Sequence, residues 1–125
     1  MSLHSPAGAS LVRLMDETPR GPRREGLFAL WLTLRVAEDL LLVPPHPERA
    51  VRRRVAALEQ RLSSLTLPAP IRRALAGAIA ELRSPARGQA ALVLQQLVPP
   101  AREAIGVEAG DALARAARAA RAAGS

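Results

Sequence analysis

Apolar side chains recur along most of this chain at the spacing of helical turns. Val51, Val55, Leu58, Leu62 and Leu65 step by four, three, four and three, which lays one apolar stripe along a helix. Ile71, Leu75, Ile79 and Leu82 repeat the pattern, and Ala90, Val93, Leu94 and Leu97 form a third stripe. A last one, Ile105, Ala109, Ala112, Leu113, Ala116 and Ala120, is built mainly from alanine. No stretch alternates with period two for long enough to argue a strand.

Prolines fence these stripes. The residue lacks an N–H and clashes inside a helix, but it fits the first turn, where that donor has no partner anyway. Ser5 and Pro6 therefore predict a capped short helix over 6–15, and the Pro44, Pro45 and Pro47 cluster ends a second helix over 23–42. Further helices are expected over 47–65, over 70–82 and from Ser84-Pro85 to 98. Pro99 and Pro100 predict a last restart, leading into a helix that reaches 123. Residues 18–24, with Pro19, Gly21 and Pro22, read as a basic linker, and 1–5 and 124–125 as frayed ends.

Short loops favour antiparallel neighbours, so the expected fold is all-α: a compact up-down bundle of five principal helices plus a short N-terminal helix, in one domain. Its expected core is Leu11, Leu27, Leu30, Trp31, Leu34, Val55, Leu58, Leu62, Leu75, Ile79, Leu82, Val93, Leu94, Leu97, Ile105 and Leu113. Gly106 and Gly110 either permit a close helix contact or break the last helix.

Segment 27–43 departs from the amphipathic pattern, because it is apolar around most of its circumference apart from Thr33, Arg35, Glu38 and Asp39. The last three, at i, i+3 and i+4, share a face and are expected to pair with one another. Such a helix is either central to the fold or pressed against a second chain. It falls short of the about 20 mostly apolar residues a membrane span needs, and its charges would be costly there. No membrane span is expected.

Composition removes most chemistry. Without cysteine there are no disulfides, thiolate nucleophiles or cysteine-bound metals. His4 lies near the terminus and His46 in a proline-rich loop, while the pairs Asp16-Glu17 and Glu38-Asp39 diverge around their helices instead of converging on an ion. Neither catalytic residues nor a metal site nor a cofactor is expected. Nothing at the start resembles a secretory signal, and a cytoplasmic location is expected.

Charge changes the picture in one respect. The 18 basic residues are all arginine and leave a net charge of +7, a bias that coding composition explains as well as phosphate recognition does. Arg20, Arg23 and Arg24 crowd the linker, and Arg49, Arg52, Arg53 and Arg54 the start of the third helix. Arg115, Arg118 and Arg121 sit where compensation of a helix dipole places them, with Asp111 expected to pair with Arg115.

Two functions follow. The first is a non-catalytic helical interaction module, self-associating as a homodimer or docking a protein partner through Leu27, Phe28, Trp31, Leu32, Leu41 and Leu42. The alternative is a nucleic-acid or other polyanion binder acting through Arg20, Arg23, Arg24, Arg49, Arg52, Arg53 and Arg54; with Phe28 and Trp31 as its only aromatic residues, it has few platforms for bases.

Overall fold

A computed structural model describes residues 5–42, 47–83 and 89–123. Among them are six helices and no strand: α1 (Pro6–Glu17), α2 (Pro22–Leu42), α3 (Glu48–Ser63), α4 (Ala69–Leu82), α5 (Gln89–Ala104) and α6 (Val107–Ala123). The all-α bundle is as the stripes predict. The Ser84-Pro85 start signal, His4 and His46 lie outside the described residues.

Ser5 opens α1 as the sequence implies. Its Oγ accepts the Gly8 N–H at 3.1 Å and itself donates to Glu38 Oε1 of α2 at 3.0 Å, so one hydroxyl both caps a helix and fastens it to the next. Thr18 closes α1 by donating its hydroxyl to the Leu14 carbonyl at 2.6 Å. The linker is shorter than expected, running only over 18–21. Gly21, at φ +149°, takes the turn, and Arg23 and Arg24 already belong to the first turn of α2.

The main correction concerns α5 and α6. Pro99 and Pro100 do not restart the chain; they lie inside α5, which continues to Ala104. Each ring removes one intrahelical hydrogen bond, and an interior proline costs about 3 kcal/mol. Burial carries the helix through, because Leu94, Leu97, Val98, Ala101 and Ile105 form one unbroken buried stripe across the prolines. The carbonyls that lose their donors belong to Gln95 and Gln96, both exposed to water. The break comes instead at Gly106, whose φ of +153° suits glycine, where the N–H groups of Ile105 and Gly106 both reach the Ala101 carbonyl, at 2.9 and 3.0 Å. Ile105 therefore lies in the turn that follows α5 instead of opening α6, and Gly110 lies within an uninterrupted α6.

All six helices contribute to one core, and α2 touches each of the other five. Its breadth of apolar surface is thereby used from several sides. Gly26 lets the α5–α6 corner and the start of α4 press close: a Cβ there would stand 3.0 Å from Ile105 Cδ1 and 3.4 Å from Pro68 Cδ. Thr33, fully buried on α2, satisfies its hydroxyl on the Ala29 carbonyl at 2.8 Å. The expected core residues are buried with one exception, Trp31, which is only half-buried. The core also draws on residues beyond that expectation, chiefly Ile71 and alanines such as Ala29, Ala37 and Ala117. Of the described helices, none is long and apolar enough to cross a membrane.

Candidate functional site

Along the outer side of α2, Arg24, Phe28, Trp31 and Arg35 step by four, three and four and so share one face. The Phe28 and Trp31 rings stack with centroids 5.9 Å apart at 26°. The guanidinium of Arg35 lies 5.1 Å from the Trp31 ring centre, and that of Arg61, from α3, 5.5 Å from the Phe28 ring centre. Trp31 is only partly buried, packed against the rim of the core.

Beside this stripe runs an open groove of about 370 Å³ between α2 and α3. Leu32, Val36 and Leu58 form its apolar floor, with Ala57 the small residue between the walls. Arg35, Arg53, Arg54 and Arg61 stand along it. Arg54 forms an ion pair with Asp39 of α2. Arg35, Arg53 and Arg61 have no carboxylate at ion-pairing distance among the described residues. At the α1–α2 corner a second hollow, lined by Met15, Arg20, Gly21, Arg24, Glu25 and Phe28, meets the other side of the aromatic pair.

The residues expected at a protein interface thus divide. Leu27 and Leu32 are 1% and 8% exposed and serve the chain's own core, Leu32 also forming groove floor. Phe28 and Trp31 are half-exposed, and the side chains of Leu41 and Leu42 lie outside the described residues. The arginines expected to meet a polyanion do not form one patch. Arg53 and Arg54 reach the groove, Arg20 and Arg24 line the α1–α2 corner, Arg23 lies against Gly106, Arg49 is exposed on the first turn of α3, and Arg52 pairs with Glu48 at 3.9 Å. Sequence reasoning missed Arg35, Val36, Ala57 and Arg61. The spacing of Arg54 and Arg61, two turns apart around Ala57-Leu58, was the available signal for the α3 wall.

The three charges of α2 do not form the expected cluster. Asp39 turns to Arg54, Arg35 lies over Trp31, and Glu38 accepts from Ser5. Burial holds the Glu38 carboxyl above its ordinary pKa; the Ser5 hydroxyl opposes that shift, the charge of Asp39 adds to it, and Arg35 counters it.

Away from the groove, a cleft of about 410 Å³ between α1, α5 and α6 holds another set of arginines, Arg13, Arg102, Arg115 and Arg118, of which the first three are engaged. Arg13 meets Glu108 at 3.3 Å and Glu17 at 3.4 Å, and Arg102 meets Asp111 at 3.0 Å. Arg115 donates to Ser10 Oγ at 3.2 Å instead of pairing with Asp111. Gly110 makes room for this: a Cβ there would stand 2.1 Å from Arg102 Cγ, so the arginine lies across α6 where a larger residue would exclude it.

Exposed apolar side chains elsewhere, Leu92 on α5 and Val107 on α6, are isolated and ordinary for a protein surface. No cluster of His, Asp and Glu suited to a metal occurs among the described residues. No known protein family matches this chain, and no curated protein or solved structure shows significant similarity to it.

Proposed function

We propose that the protein is a non-catalytic helical interaction module that docks a protein partner across the outer surface of α2 and α3. The observation that carries this reading is the groove itself: an apolar floor at Leu32, Val36 and Leu58, bordered by Arg35, Arg53 and Arg61, none of which has an ion-pair partner among the described residues. Apolar surface and arginine are among the residue types that anchor protein interfaces. Half-exposed Phe28 and Trp31 extend it.

Self-association through this face is the weaker form of the proposal. A symmetric dimer sets the same patch against itself, which would bring two sets of groove arginines together in a chain already at +7. The polyanion reading draws on Arg20, Arg24, Arg49 and Arg53, but these are spread over the α1–α2 corner and α3, and the aromatic rings are already engaged by one another and by guanidinium groups.

The test compares capture from host lysate by the wild-type chain, by Ala57→Trp, which fills the groove from an exposed position, and by Arg118→Ala in the opposite cleft. A protein retained by wild type and Arg118→Ala but lost with Ala57→Trp supports the reading. Identical retention by all three overturns it, as does binding of duplex DNA that is stronger than any protein capture and falls steeply with salt.

A further inference from the structure

The groove has more to say than that a partner docks there, and the following step rests on that reading. We infer that its occupant is an acidic amphipathic helix belonging to a different protein. Three properties of the groove point to it.

The first is shape. Two neighbouring helices with a small residue between them leave a trough that a third helix fills, and here Ala57 lies exposed where a longer side chain would hold that helix away. Arg53 and Arg61 lie eight residues apart on α3, about 12 Å along its axis at 1.5 Å per residue, which is close to two turns of an incoming helix as well.

The second is polarity. An occupant must offer aliphatic side chains to Leu32, Val36 and Leu58 and carboxylates to the arginines beside them. On a helix this means apolar residues at i, i+3 and i+4, with Asp or Glu about two turns apart on the flank facing α3. Bidentate guanidinium–carboxylate pairing suits arginine there, and Arg53 and Arg61 have no competing carboxylate at ion-pairing distance among the described residues.

The third is exclusion of the other occupants. A second copy of this chain brings a net charge of +7 and no segment with an apolar stripe flanked by acids at that spacing. A single nucleic-acid strand would satisfy the arginines but leave the aliphatic floor uncovered, and it would find the Phe28 and Trp31 rings already stacked on each other and overlaid by Arg61 and Arg35.

The experiment uses the full chain and three fluorescently labelled probes. One is a designed helical peptide with apolar i, i+3, i+4, i+7 positions and glutamates on one flank. A second has the same composition with the apolar positions scrambled, and the third is a single-stranded oligonucleotide of equal charge. Anisotropy titrations should show the patterned peptide binding at least about tenfold more tightly than either control, and the Arg53→Glu/Arg61→Glu variant should lose at least about tenfold, equal to about 1.4 kcal/mol. Circular dichroism of that variant should match wild type, since both side chains are exposed. Equal binding of patterned and scrambled peptides overturns the inference, because charge alone would then explain it. Tighter binding of the oligonucleotide, or unchanged binding by the double variant, overturns it too. If the patterned peptide fails while groove-dependent protein capture persists, the acidic helix is wrong and the interaction module stands.

Discussion

Two regions of this molecule are rich in arginine and use it differently. In the α1–α5–α6 cleft, Arg13, Arg102 and Arg115 are spent on Glu17, Glu108, Asp111 and Ser10, tying three helices together from outside. In the α2–α3 groove, Arg35 and Arg61 lie over aromatic rings and Arg53 has no ion-pair partner among the described residues, while the floor beneath is aliphatic. The same residue type ties helices together on one surface and on the other lies over aromatic rings beside an aliphatic floor. The difference is one of degree: in the cleft Arg13 and Arg102 meet carboxylates of neighbouring helices, whereas in the groove only Arg54 does, through Asp39.

Packing follows the same division. Helices α5 and α6 meet each other and α2, with Leu97 and Leu113 fully buried, whereas α3, among the described residues, touches only α2 and α4. The comparison breaks first at the core. Leu113→Ala should cost about 2–5 kcal/mol in urea denaturation, through lost burial and the cavity left behind; a loss below about 1 kcal/mol would mean that α6 is not the structural side.

A finer probe is native-state hydrogen exchange. Amides of α3 should exchange at least about tenfold faster than those in the middle of α6, an opening free energy lower by about 1.4 kcal/mol. Equal protection would show that α3 opens only with the whole chain and that the groove wall is as fixed as the core.

The arginines themselves provide the third contrast. Asp111→Asn removes the partner of Arg102 and should lower stability by up to about 1 kcal/mol, the usual range for a half-exposed pair. Arg53→Ala should leave stability within about 0.5 kcal/mol while weakening partner binding. Reversed results from the two denaturation curves would exchange the roles assigned to the two surfaces.

The smallest effect concerns Glu38, between α1 and the groove helix. Its folded pKa is raised above the ordinary 4.5, so folding takes up a proton; the benefit is full below the unfolded value and disappears as pH rises through the folded one. Glu38→Gln, which keeps an acceptor for Ser5, should match wild type near about pH 3, gain on it as pH rises from the ordinary value through the raised one, and hold a constant advantage above that. Urea midpoints measured across that range should diverge in favour of glutamine; divergence in favour of wild type would mean that the Ser5 hydrogen bond and the charge of Arg35 outweigh the burial of Glu38.

Much of the fold was legible because one rule, an apolar stripe at helical spacing, decides which face of each helix is buried. Val55, Leu58 and Leu62 needed nothing more. The α5–α6 boundary was not legible from local rules, since two prolines predict a break and only the buried run from Leu94 to Ile105 reveals why the helix survives them. The site was harder still. Phe28 and Trp31 stood out by rarity, but an isolated sequence cannot say that Arg61, 33 residues further on, lies over Phe28, or that Asp111 turns to Arg102 and not to Arg115. Each depends on how neighbouring helices are set against one another.

Trp31, finally, gives the chain an optical use. It is the sole indole, half-shielded, and lies beside the groove with a cation above its ring. Intrinsic emission from this protein therefore reports on one place only. A ligand that settles between α2 and α3 should shift or quench that signal without any label, whereas one bound in the cleft on the far side should leave the spectrum untouched.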